Sequence, residues 1–106
     1  MTVVYEITAE VEADLSREYE RYMREVHIPE LLDTGCFQAA AFTRSAPGRY
    51  RMRYEAPRQA DLDRYLAEHA SRLRAEFSSR LPRGITLSRE VWVTLEEWKR
   101  GPGASR

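Results

Sequence analysis

In 106 residues the chain has one cysteine, Cys36, one lysine, Lys99, and two histidines, His27 and His69. A lone cysteine excludes an internal disulfide and a cysteine-based metal cluster. The histidines lack the i,i+4 carboxylate-and-histidine spacing of a metal motif, so no metal site is expected. There is no apolar run of membrane-spanning length. The opening Met-Thr-Val-Val-Tyr-Glu enters a strand pattern without a basic region or an apolar segment of signal length, so the expected location is cytoplasmic, with no membrane partner. Neither sign of charge is in excess, since Lys+Arg and Asp+Glu are both 17. That balance removes the electrostatic pull toward nucleic acid. No glycine-rich phosphate loop and no Gly-x-Ser-x-Gly occur, and no cofactor is implied.

What is present is a globular composition, 42% hydrophobic and 32% charged, of a length that suits one domain with a modest core. Residues 2–11 alternate, with Val3, Tyr5, Ile7, Ala9 and Val11 on one face and Val4, Glu6, Thr8 and Glu10 on the other, the period of a half-buried strand. Asp14 is placed to cap a helix whose stripe is Leu15, Tyr19, Tyr22, Met23 and Val26,. Pro29 ends or kinks that helix near His27-Ile28, or opens a short extra turn carrying Leu31 and Leu32. A second strand is expected over 36–44 and a turn at Ser45-Ala46-Pro47-Gly48. A third strand follows over 49–56, with Tyr50, Met52 and Tyr54 alternating against Arg51, Arg53 and Glu55. Leu62, Tyr65, Leu66, His69, Ala70, Leu73 and Phe77 form the stripe of a second helix,. The last strand is expected over 85–95. These elements define a single domain over 1–96 and a C-terminal tail over 97–106, loose at its Gly-Pro-Gly-Ala-Ser-Arg tip.

The order strand-helix-strand-strand-helix-strand implies an α+β fold of ferredoxin-like βαββαβ plan. Its four-stranded antiparallel sheet carries both helices on one face. The uncovered face then collects Val4, Glu6, Thr8, Glu10, Arg51, Arg53, Glu55, Glu90 and Trp92. With the first and third strands as central neighbours, Glu6 and Glu10 come within cross-strand reach of Arg51 and Arg53. Either this face is solvated and held by surface ion pairs, or a second copy of the chain closes over it with Val4 and Trp92 in the interface.

The chain resembles the dimeric alpha-beta barrel superfamily, and within it a bacterial domain family of unknown function. The resemblance rests on Val-Val-Tyr-Glu-Ile (3–7), Leu-Leu-Asp-Thr-Gly-Cys-Phe (31–37), and the Tyr-Glu-Ala that precedes Asp-Leu-Asp-Arg-Tyr-Leu-Ala-Glu-His-Ala-Ser-Arg-Leu-Arg (61–74). It implies a homodimer whose two sheets pack face to face around a shared barrel. That superfamily includes cofactor-independent monooxygenases, haem-degrading enzymes and small binding or regulatory domains; no catalytic signature of any one of these is present in this chain.

Among residues able to carry chemistry, His27 reads either as a helix-terminal histidine meeting free carbonyls or as a proton-transfer group at the mouth of the barrel. His69 reads as a half-buried core histidine. Arg51 and Arg53, with Glu6 and Glu10, either hold a small anionic ligand or neutralise one another and fix the dimer register. Cys36 reads as a small packing residue, and the tyrosines as core residues with wet hydroxyl ends. RNA-recognition modules share this topology, but they need aromatic stacking residues where this chain has Glu6, Thr8, Arg51 and Arg53. The expected function is a homodimeric small-molecule-binding or regulatory domain, leaning away from an enzyme. The alternative is a cofactor-independent monooxygenase or haem-handling enzyme.

Overall fold

Four strands, β1 (Val3–Val11), β2 (Ala39–Ala46), β3 (Arg49–Ala56) and β4 (Ile85–Val93), pair antiparallel in the order β2-β3-β1-β4. The computed structural model describes residues 1–101, and the expected loose tip of the tail lies outside the described residues. Alternation along β1 is honoured residue by residue. Val3, Tyr5, Ile7, Ala9 and Val11 are all buried under the helices, as are Tyr50, Met52 and Tyr54 of β3. The fold is the ferredoxin-like βαββαβ plan, with two helical segments on one face of the sheet.

The first helical segment does not stop at Pro29. A short 3-10 turn (Ala13–Leu15) leads into α1 (Ser16–Tyr22), a π-helical turn (Met23–His27) and α2 (Ile28–Asp33). Asp14 lies inside the 3-10 turn and makes no side-chain cap. The extra turn carrying Leu31 and Leu32 is the version that forms. Pro29 has no N–H to give and its ring presses on the carbonyl four residues back, so the widened turn just before it relieves a clash that a regular α-helix would keep. The Ile28 N–H accordingly reaches five residues back, to the Met23 carbonyl.

The second helical segment is broken into α3 (Gln59–Glu68) and α4 (Ala70–Arg80) at His69, whose backbone leaves the helical region. The break splits the expected stripe. Leu62, Tyr65, Ala70, Leu73 and Phe77 are buried, but Leu66 is 40% exposed. β2 starts three residues later than expected, because Cys36 and Phe37 are used as buried loop residues instead. Its Ala39, Ala40 and Ala41 are exposed on an edge strand.

The far end of β1 is clamped by two turns. Val11 N–H donates to the Gly48 carbonyl at 2.8 Å, and Glu12 N–H to that of Gly84 at 2.9 Å. Gly48 has φ +79° and a Cβ there would stand 2.6 Å from the Val11 carbonyl oxygen, so only glycine fits this second position of the Pro47-Gly48 turn,. Three of the six tyrosine hydroxyls, those of Tyr5, Tyr19 and Tyr50, are hydrogen-bonded within the protein. Tyr50 donates to Glu20 at 2.6 Å and Tyr19 to the Met52 sulfur at 3.2 Å, while the buried Tyr54 hydroxyl has no partner among the described residues.

Leu73 is fully buried, so Leu73→Ala should cost roughly 2–5 kcal/mol in urea denaturation. Leu66→Ala should cost less than about 1 kcal/mol, because its side chain already meets solvent. Equal losses at the two positions would contradict this helix orientation.

Candidate functional site

The sheet separates two candidate sites. On the open face, cross-strand register sets Val4 between Glu55 and Trp92, Glu6 between Arg53 and Glu90, Thr8 between Arg51 and Ser88, and Glu10 between Arg49 and Thr86. Glu6 is the hub of this face. Its Oε1 lies 3.4 Å from Arg53 Nε and 3.7 Å from Arg51 Nη1, and its Oε2 accepts the Trp92 indole N–H at 3.1 Å. The Glu6 side chain is only 15% exposed although no described helix lies on this face. Glu10 does not join this network. It faces Arg49 and Thr86, and among the described residues it has no ion pair. The expected four-residue cluster is therefore three residues plus Trp92. Val4 shares the open phase, but its large cross-strand neighbours leave it 7% exposed, against 48% for Trp92.

On the opposite side, between sheet and helices, lies a cavity of about 60 Å³. Ile7, Met52 and Leu87 contribute from the sheet, and Met23 and Phe77 from the helices; His27, Arg74, Ser78 and Arg89 supply the polar lining. His27 reaches it because of the π-helical turn. A stripe of period 3.6 through Tyr19, Tyr22 and Met23 continues to Val26. The widened turn instead brings His27 and Leu31 onto the buried side and leaves Val26 half-buried. Turns of this kind recur at functional sites. The His27 ring packs against Phe77 at 5.4 Å and Tyr22 at 5.8 Å between centroids. Burial is the main cause that lowers its pKa from 6.5 to about 4; the Glu76 carboxylate opposes the shift and Arg89 adds to it. At neutral pH the imidazole is thus uncharged and presents one donor and one acceptor.

Arg74 and Arg89 stand at this cavity without a carboxylate. Arg74 donates to the Tyr5 hydroxyl at 2.9 Å, and among the described residues neither arginine has an acidic partner within 4.0 Å. Both act on the buried Tyr65 hydroxyl, whose pKa burial pushes up to about 12. His27 and the pair Arg51 and Arg53 therefore lie on opposite faces of the sheet and do not form one site. Arg74 and Arg89 were not singled out from the sequence. Arg89 did carry a signal, as the one charged residue on the phase of Leu87, Val91 and Val93; Arg74 carried none. His69 sits at the helix break, 6.4 Å from the Tyr65 ring, with its buried Nδ1 unpartnered among the described residues. Cys36 is fully buried and free. No group of three or more metal-ligating side chains occurs among the described residues, and no described helix is long and apolar enough to cross a membrane.

The lowered pKa of His27 makes stability depend on pH. Above pH 6.5 the ring is neutral both folded and unfolded. As pH falls from 6.5 toward about 4, the unfolded chain takes up a proton that the folded chain refuses, so stability is lost over that window,. At about 1.4 kcal/mol per pKa unit the loss is roughly 3 kcal/mol. His27→Gln should flatten this part of the stability curve. A wild-type curve as flat as that of the variant down to about pH 4.5 would mean that the ring is solvated.

A family model for a domain of unknown function (DUF4286) matches residues 2–94. No curated protein matches the chain. Among solved structures, it is similar to a putative antibiotic biosynthesis monooxygenase from Deinococcus radiodurans, at 14% identity and a TM-score of 0.71, over 92% of this chain and 96% of that one. It is also similar to Rv0793 from Mycobacterium tuberculosis, at 16% identity and a TM-score of 0.65, over 93% of this chain and 100% of that one. A dimeric ferredoxin-like protein from an uncultured marine organism is similar at 14% identity and a TM-score of 0.66, over 92% of this chain and 98% of that one. At such identities the likeness is one of fold. Because the match at residues 2–94 spans all four strands and both helical segments, the chain belongs to the DUF4286 family, and its fold is ferredoxin-like.

Proposed function

We propose that the protein is a cytoplasmic homodimer that closes its two open sheet faces against each other and serves as a small-molecule-binding or regulatory domain. The observation behind the dimer is Trp92, exposed on the open face of β4 beside Val4. Val91, Trp92 and Val93 are 45%, 48% and 49% exposed, and Leu95 and Trp98 are 85% and 80% exposed. Val91 and Val93 share the helix-side phase of Tyr5 and Val3, so on the open face of β4 it is the large exposed ring of Trp92 that marks a contact surface,. Seating a second copy on the open face buries Trp92 beside Val4, and the Glu6, Arg51 and Arg53 network then fixes the register. The solved dimeric ferredoxin-like protein of similar fold supports this assembly.

The interlayer cavity gives each protomer a place for a small molecule that the dimer does not consume. His27 is its recognition or proton-transfer group, and Arg51 and Arg53 belong to the interface rather than to a ligand. A second reading, a cofactor-independent monooxygenase, draws on two similar structures described as antibiotic biosynthesis monooxygenases. Haem handling is less well supported, because His27 opens onto about 60 Å³, far too little for a porphyrin.

Light scattering at micromolar concentration should give twice the chain mass of 12.4 kDa. Trp92→Glu should shift the protein toward monomer, since a desolvated aromatic is a common interface anchor. A wild-type monomer, or a variant that stays dimeric with unchanged stability, would remove the basis for the face-to-face assembly. A fragment screen read by the resonances of cavity-lining methyl groups tests binding. Oxygen uptake with reduced aromatic substrates would favour the enzyme instead.

A further inference from the structure

The arginines of this protein fall into two electrostatic classes. Arg51 and Arg53 share the Glu6 carboxylate, and Arg24 and Arg44 share Glu20. Arg74 and Arg89, both exposed, line the small cavity between sheet and helices and form no ion pair among the described residues. Arg74 gives one N–H to Tyr5. A guanidinium carries five donors in a planar fork, so most of the donors at this rim are available to an incoming group. Behind the rim the walls are hydrocarbon and thioether: Ile7, Met23, Met52, Phe77 and Leu87.

We propose that this cavity binds a short-chain monocarboxylate, its carboxylate held between Arg74 and Arg89 and its alkyl end resting against Met23, Met52 and Phe77. The proposal rests on the small-molecule-binding reading above and names the class of ligand. Size and polarity together select that class. The interior of about 60 Å³ has room for only a methyl or ethyl end, while the carboxylate stays at the open rim beside the two arginines, so a longer chain is excluded. A phosphate or sulfate would fit the charge but would turn unsatisfied oxygens toward the apolar wall, which is costly. A neutral alkane would gain nothing from the two guanidinium groups, which are exposed at the rim. A monocarboxylate meets both ends: planar oxygens for the fork, methylene or methyl for the wall. The uncharged His27 and the Ser78 hydroxyl can each give one further hydrogen bond without adding repulsion.

The methionines provide the readout. The chain has three; Met23 and Met52 line the cavity, whereas Met1 is 76% exposed and serves as an internal control. In protein labelled with carbon-13 at the methionine methyls, sodium propionate should shift the Met23 and Met52 signals saturably in the millimolar range, leaving Met1 in place. Propionamide, nearly the same shape without the charge, should bind at least about tenfold more weakly, the loss expected when a charge-assisted bidentate contact becomes neutral. Arg89→Gln should weaken propionate by a similar factor and leave the response to propionamide unchanged. Arg89 makes no hydrogen bond or ion pair within the described chain, so this variant is expected to fold even if Arg74→Gln, which loses the Tyr5 contact, does not.

Equal shifts with propionate and propionamide would overturn the carboxylate proposal while leaving small-molecule binding intact. Shifts with other neutral fragments and none with propionate would overturn it in the same way. No saturable shift at Met23 or Met52 with any fragment would overturn the proposal and the binding reading together.

Discussion

The central placement of β1, hydrogen-bonded to β3 on one side and β4 on the other, is the constraint on which the rest of the molecule depends. A strand paired on both edges cannot slip by one residue without turning its whole apolar set to the wrong face. Val3, Tyr5, Ile7, Ala9 and Val11 are thereby committed to the helices, and Val4, Glu6, Thr8 and Glu10 to the open side. The clamp on Val11 and Glu12 by the carbonyls of Gly48 and Gly84 fixes the far end of the same strand. Both candidate sites therefore begin on adjacent residues: Glu6 organises the open face, and Ile7 floors the cavity.

The two faces treat positive charge differently. On the open side each arginine beside Glu6 is compensated by a carboxylate that is itself largely shielded. Partly exposed pairs of this kind are individually weak, about 0–1 kcal/mol, and contribute more to register than to stability. At the rim of the cavity under the helices two exposed arginines stand without a carboxylate beside a wall of hydrocarbon. Glu76 and Arg89 pull the ionisation of His27 in opposite directions, and desolvation decides the outcome in favour of the neutral ring,.

Much of this was readable before any coordinates. Alternation is a two-state code, so residues 2–11 and 49–56 announced which side each side chain takes, and the usual strand order for this motif brought Glu6 and Glu10 within cross-strand reach of Arg51 and Arg53. Reach was less legible than side: Glu10 shares the phase of Glu6 but sits four residues along, where its neighbours are Arg49 and Thr86. Helical stripes were legible in kind and not in phase. Leu66 has the right spacing for the core, but the break at His69 lets the two halves of that segment present different faces, and Leu66 turns outward. The cavity was the hardest part. It is built from ordinary core residues plus two arginines distant in sequence, and only Arg89, a charge on an otherwise apolar phase, betrayed it.

The π-helical turn has a consequence best described as a shift of reading frame. Helix faces are spelled with a period of 3.6, and a turn that accommodates one additional residue moves every later position to the next letter. Upstream of Met23 the frame selects Tyr19 and Tyr22 for the interior; downstream it selects His27 and Leu31 in place of Val26 and Glu30. An imidazole is thus recruited to the interior with no change in the number of residues between β1 and β2. Deleting a single residue within 24–26 would remove the bulge yet leave His27 and Leu31 facing inward, because it cancels the one-residue offset,. Rewinding the turn as a regular α-helix at constant length would instead restore the upstream frame, return a valine to the inner wall and turn His27 away from the cavity.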